Sequence, residues 1–333
     1  MKVLIIRCGA LGDLVYATSV IDALKLEYGN NTIIDFVCTP GSSKLFEADS
    51  RVNQVFLLKH KKIPLFFSKE KRKIVQYSKK HSYDMLINFE HGKQFKDLAT
   101  SVYATKKFGS FFDFQALPKN IVHMVDIIKY IYRNAVSKKV LETSYPKLLG
   151  TDSKVIKKQY NLPKNYIIVS PSNSHQKKNR LNYRAWENQK WIALIKLLSD
   201  QMPVVVIGNR GEDIFFEKLR PYPLNVIDLV AKTSLSDLIG IIEGASALIA
   251  TDTGTAHIAS ATNTEVFTLI GPTPAEQTGP YKTPSNKVHI LSANLECSPC
   301  YKTSRMKQCL DNICMKNIST EMVYDSIKSA KLW

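Results

Sequence analysis

Two hydrophobic rhythms alternate along this chain. Short, nearly continuous apolar runs predict strands buried on both faces, whereas apolar residues recurring at i, i+3 and i+4 predict amphipathic helices. In the first half, residues 2–7, 32–37, 52–57, 84–88 and 107–109 read as strands. Residues 14–28, 95–103 and 123–134 read as helices between and after them. A polar, lysine-rich stretch over 137–164, carrying Pro146, Gly150 and Pro163, reads as a crossover between domains. The rhythm then restarts, with strands at 166–170, 203–208, 226–229, 247–250 and 265–270. Helices at 186–200, 212–219 and 235–243 separate them, and 319–328 is a final helix. This alternation predicts an α/β protein of two Rossmann-like, doubly wound domains whose sheets are parallel. Domains at 1–145 and 146–318, followed by a C-terminal helix at 319–333, fit the pattern. Two such domains facing each other would make a central cleft where the carboxyl ends of both sheets meet.

Composition supports a globular chain: 333 residues, of which 44% are hydrophobic, suit two domains. No apolar run approaches the roughly 18–20 residues of a membrane span. The amino terminus is a poor secretory signal, because Arg7, Gly9, Gly12 and Asp13 interrupt its apolar stretch. A cytoplasmic location is therefore expected. The formal net charge is +17, which attracts polyanions. Lys59, Lys61, Lys62, Lys69, Lys71, Arg72, Lys73, Lys79 and Lys80 crowd one region around Leu65, Phe66 and Phe67. Such a mixture suits a helix lying on an anionic membrane surface, with Lys71, Arg72 and Lys73 as contacts. It equally suits a solvated helix face.

Candidate chemistry sits at two strand-to-helix turns. After the strand at 247–250 come Thr251, Asp252, Thr253, Gly254 and Thr255, then His257 on the helix that follows. Free N–H groups at such a turn can receive a phosphate, and the alternative is an ordinary capped helix with a packed histidine. After the first strand, Arg7-Cys8-Gly9-Ala10-Leu11-Gly12-Asp13 opens a helix. Its glycines permit a tight turn, and Asp13 reads either as a helix cap or as a general base at a strand's carboxyl end. The spacing is neither a dinucleotide fingerprint nor a Walker loop, which disfavours a nicotinamide oxidoreductase. Cys297, Cys300, Cys309 and Cys314 form a C-x2-C-x8-C-x4-C cluster. Four thiolates at this spacing could hold a structural zinc or an iron–sulfur cluster, or they could pack as free thiols.

Taken together, three segments carry a resemblance: Leu4-Ile-Ile-Arg-Cys-Gly-Ala-Leu-Gly-Asp13-Leu14-Val; Asp252-Thr-Gly-Thr-Ala-His257; and Ile270-Gly-Pro-Thr-Pro274 with Thr278-Gly-Pro-Tyr281. Their order and spacing resemble the family 9 glycosyltransferases, which include the heptosyltransferases of the lipopolysaccharide core. The resemblance implies a GT-B fold, with the acceptor on the N-terminal domain and the nucleotide-sugar on the C-terminal one. It implies an inverting transfer that requires no metal cofactor. Asp13 would match the base, with Gly9 and Gly12 shaping its loop. Arg184 would neutralise the departing diphosphate, aided by Lys177, Lys178 and Arg180. Glu212, or Asp213, would contact the ribose. Asp252, Thr253, Gly254, Thr255 and His257 would bind the donor.

The expected reaction moves a sugar, foremost heptose from ADP-heptose, onto a phosphorylated lipid-linked acceptor at the inner face of the cytoplasmic membrane. Residues 88–92, Asn-Phe-Glu-His-Gly, depart from an Asp-x-Gln-Gly-like element of the family, which leaves open another nucleotide-sugar and another surface glycan. From a different class, net charge alone would suit a nucleic-acid-binding protein. No stacking platform interleaves the lysines, so no nucleic acid is expected among the partners.

Overall fold

The computed structural model describes residues 1–173 and 181–333. The chain divides into two units, Met1–Gly150 and Thr151–Trp333. In the first, strands β1 (Lys2–Ile6), β2 (Ile33–Cys38), β3 (Gln54–Leu57), β4 (Tyr83–Asn88) and β5 (Ala104–Gly109) form one sheet. Its order is β3-β2-β1-β4-β5, and every pairing is parallel. Val3 to Ile6 are fully buried, as a strand covered on both faces must be. The second unit holds β6 (Ile167–Ser170), β7 (Val204–Val206), β8 (Val226–Asp228), β9 (Ala247–Thr251), β10 (Glu265–Leu269) and β11 (Val288–Leu291). Their order is β11-β10-β9-β6-β7-β8, again parallel throughout. Each unit is thus a doubly wound, Rossmann-like layer structure.

Several elements differ from the sequence pattern for identifiable reasons. The first helix is two, Leu11–Ala17 and Ser19–Tyr28. At the break, both the N–H and the hydroxyl of Thr18 donate to the Val15 carbonyl, at 3.1 and 2.7 Å. That local bonding tightens the chain between the two helices. Strand β11 carries His289, which masks its apolar character. On the neighbouring strand His289 stacks flat on Phe267, with ring centroids 4.4 Å apart, and bonds Glu265 at 2.7 Å. The terminal helix Thr320–Ser329 contributes Val323 and Ile327 to the core of the second unit, alongside Trp191 and Ile195. Among the described residues no helix is long and apolar enough to cross a membrane.

Candidate active site

In a doubly wound sheet, ligands gather where the strand order reverses, beyond the carboxyl ends of the two strands flanking that point. In the first unit those strands are β1 and β4, paired from Val3↔Met85 to Ile6↔Asn88. The residues just past them are Arg7 to Gly9 and Phe89 to His91. Asp13 stands on the first turn of helix Leu11–Ala17, beside them. Its Oδ2 accepts from the Ala10 N–H at 2.9 Å, so it caps its own helix. Its Oδ1 lies 3.3 Å from Arg7 Nη2. Gly9 permits this approach, because a Cβ there would fall 2.5 Å from the Asp13 Cβ and 2.6 Å from a carboxylate oxygen. Gly12 lies in the same helical turn.

Arg7 also reaches Glu90 Oε1, at 3.6 Å, so one buried guanidinium serves two carboxylates. Glu90 is pinned in turn by the Cys8 N–H at 2.7 Å. Lys61 Nζ donates to the Cys8 carbonyl. His91 bonds Ser110 Oγ at 2.8 Å, and burial followed by the Arg7 charge holds its imidazole below the ordinary histidine range, against an opposing pull from Glu90. Cys8 is fully buried, and burial pushes its thiol far up, so it is an inert packing group. Sequence reading missed Arg7 as the partner of Asp13 and Glu90 as the second carboxylate on Arg7. The available signal was a lone arginine ending an apolar strand.

In the second unit the reversal falls between β6 and β9, paired from Ile167↔Ala247 to Ser170↔Ala250. Hydroxyls collect there. Thr255 Oγ1 lies 3.0 Å from Ser170 Oγ and 2.7 Å from Thr253 Oγ1. Thr253 precedes Gly254, which opens the short helix Gly254–Ser260. Asp252 is buried, with Oδ2 3.4 Å from Arg184 Nη1 and Oδ1 3.7 Å from His257 Nε2. Arg184 also donates to the Asp252 carbonyl at 3.2 Å. The turn therefore assembles Arg184, Asp252, Thr253, Thr255 and His257. His257 is 7% exposed and faces Asp252, the packed arrangement weighed above. Arg184 Nε and Thr273 Oγ1 are buried without a hydrogen-bond partner among the described residues. A buried polar atom without a partner costs stability, and each calls for an explanation.

Glu212 sits beyond β7, 5% exposed, accepting from Ser172 Oγ at 2.7 Å and from the Asn209 N–H at 2.9 Å. It shapes the loop between these elements. Asp213 begins helix Asp213–Glu217. Lys177, Lys178 and Arg180 lie outside the described residues.

One expectation needs correction. Lys71 cannot meet a membrane: its side chain is fully buried, with Nζ bonded to Asp97 at 2.9 Å and to the Gln94 carbonyl at 2.6 Å. It joins helix Lys69–His81 to helix Lys93–Ser101. Arg72 and Lys73 remain exposed. The four clustered cysteines are free thiols, and among the described residues no group of three or more potential ligands is placed to hold a metal ion. Cys297, Cys300, Cys309 and Cys314 are four neighbouring thiols whose charges influence one another. Burial, then the neighbouring thiols, raises Cys300, and the same causes push Cys314 up to about 11.

Comparison with known proteins gives the family and the fold. Residues 99–310 match the model of glycosyltransferase family 9 (heptosyltransferase). Lipopolysaccharide heptosyltransferase 3 of Escherichia coli is 23% identical over 297 residues, spanning 79% of this chain and 81% of that protein. The structure of E. coli ADP-heptose lipopolysaccharide heptosyltransferase II superposes with a TM-score of 0.75 at 19% identity, covering 99% of this chain and 98% of that one. The E. coli heptosyltransferase WaaC with ADP gives 0.71 at 18% identity, covering 99% of each. The fold is therefore of the GT-B class, built from two Rossmann-like units. With more than half of its length matched by the family model, the chain belongs to glycosyltransferase family 9, the heptosyltransferases.

Proposed function

We propose that this glycosyltransferase moves heptose from ADP-heptose onto a phosphorylated, lipid-linked lipopolysaccharide-core acceptor, with inversion at the anomeric carbon. Asp13 acts as general base, taking the acceptor hydroxyl's proton as that oxygen attacks. The leaving ADP departs from the opposite face, its new charge met by Arg184 and the hydroxyls of Thr253 and Thr255. In this reading Arg184 performs the neutralising task that other transferases give to a metal. The N-terminal unit takes the acceptor and the C-terminal unit the donor. The observation that carries the reading is the pairing of an arginine with an orphaned Nε and a hydroxyl cluster at the β6/β9 reversal, in a chain of this family. Relatives described with ADP or ADP-heptose favour the adenine donor.

A membrane-surface location has its own support. Beside the exposed Arg72 and Lys73, Phe66 and Phe67 are 76% and 74% exposed, their rings edge to face. Arg72 Nη1 donates to the Phe66 carbonyl at 3.1 Å and so steadies that tip. Basic residues flanking exposed aromatics suit an anionic lipid interface.

Transfer assays across ADP-, UDP- and GDP-sugars test the donor. Turnover with ADP-heptose alone is expected. A preference for a UDP- or GDP-sugar would favour the second reading, a family 9 transferase of another surface glycan, which Glu90 and His91 motivate. Asp13→Ala should lower kcat by about 10²- to 10⁴-fold while leaving ADP affinity unchanged. Near-normal turnover in that variant would remove Asp13 from the role of base.

A further inference from the structure

The segment carrying the four cysteines has so far no task, yet it touches Arg184 and its loop from several directions. We propose that Tyr301 and Asn312, both on this segment, are positioning residues that hold Arg184 over the donor turn; the proposal rests on the reading that Arg184 meets the donor diphosphate.

Arg184 needs such help. It lies in an irregular stretch ahead of helix Asn188–Ser199, and its side chain is long and rotamer-rich. The Tyr301 ring lies under its guanidinium, 4.7 Å from centroid to the central carbon. A flat aromatic face fixes the plane of a guanidinium and leaves its edge free to donate. Asn312 grips the loop on both sides of Arg184: Nδ2 donates to the Ala185 carbonyl at 2.9 Å and to the Asn182 carbonyl at 3.4 Å. The Tyr183 hydroxyl reaches the Cys309 carbonyl, also at 3.4 Å.

The segment is itself anchored to the motif after β10. The N–H groups of Cys300 and Tyr301 both donate to the Pro272 carbonyl at 2.9 Å, and Ser298 Oγ donates to the Gly271 carbonyl. Gly271 is small because the segment presses on it: an added Cβ would lie 2.7 Å from Met315 Sδ and 2.8 Å from Cys314 Sγ. Tyr301 thus stands on a rigid turn, and Arg184 is held between that ring and Asp252. The arrangement leaves Arg184 Nε buried and without a protein partner among the described residues.

The test uses the full chain, with ADP as probe (or UDP or GDP, whichever binds best) and the matching nucleoside as control. Arg184→Ala should weaken the diphosphate at least about tenfold and leave the nucleoside unchanged. Tyr301→Leu should weaken the diphosphate by about three- to tenfold and lower kcat, again sparing the nucleoside, whereas Tyr301→Phe should behave as wild type. Asn312→Leu should act in the same direction as Tyr301→Leu. In an Arg184→Ala background Tyr301→Leu should cost nothing more. Thermal melting of each variant checks that it folds. If Tyr301→Leu costs as much without Arg184 as with it, or weakens nucleoside and diphosphate alike, Tyr301 merely packs and the proposal fails. If Arg184→Ala itself spares the diphosphate, the underlying donor reading fails, and the positioning role falls with it.

Discussion

Arg7 divides one guanidinium between Asp13 and Glu90, and the division holds the candidate base in one orientation. Glu90 was visible in the sequence only as a departure from a family pattern, and Arg7 only as an interruption of an apolar run. Their meeting with Asp13 depends on β1 and β4 being neighbours although some 80 residues separate Arg7 from Glu90, which no local pattern reveals. His91, one residue on, gives a pH test. Its imidazole is held below the usual value near 6.5, so the folded protein favours its neutral form and the unfolded chain takes up the proton first. The stability it contributes is present above that ordinary value and is lost as pH falls through the lowered one. Thermal melting of wild type and His91→Gln across pH 8 to 5 should therefore show wild type losing ground to the variant below about pH 6.5. Parallel curves would mean that His91 titrates alike in both states.

At the scale of elements, legibility followed burial. Strands β1, β9 and β10 are covered on both faces, so their apolar runs were readable without any partner. Strand β11 was not, because the ring of His289 is stabilised by Glu265 and Phe267, on a strand some 20 residues earlier. Helix Lys69–His81 looked uniformly basic, yet Lys71 faces inward to Asp97. A charge run cannot disclose a partner on another helix. Lys71→Met should destabilise the N-terminal unit by about 1–3 kcal/mol in urea unfolding, since the Gln94 carbonyl and Asp97 lose their common donor. Exposed Lys73→Met should change stability by about 0.5 kcal/mol or less. The donor turn, Asp252 to His257, was legible because strand, turn and helix are contiguous. Gly271 was visible as a motif residue, but its reason was not. Gly271→Ala should cost about 1–3 kcal/mol through overpacking against Met315 and Cys314, measured by denaturant titration.

For the molecule as a whole, a net charge of +17 and an aromatic tip should make separable contributions to the proposed membrane binding. Arg72→Glu with Lys73→Glu should reduce partitioning onto anionic vesicles at low salt, and the difference should shrink toward 1 M salt, where screening acts within about 3 Å. Phe66→Ser with Phe67→Ser should weaken binding at every salt concentration. Equal sedimentation of all variants with vesicles would return this region to a solvated surface. Turnover also has to be reset. A base that accepts a proton in each cycle must discharge it before the next acceptor arrives. The Asp13 carboxylate keeps 38% of its side chain open to solvent while its inner edges stay tied to Ala10 and Arg7. In the proposed role, Asp13 could pass the proton directly to bulk water, with no buried wire of relaying side chains.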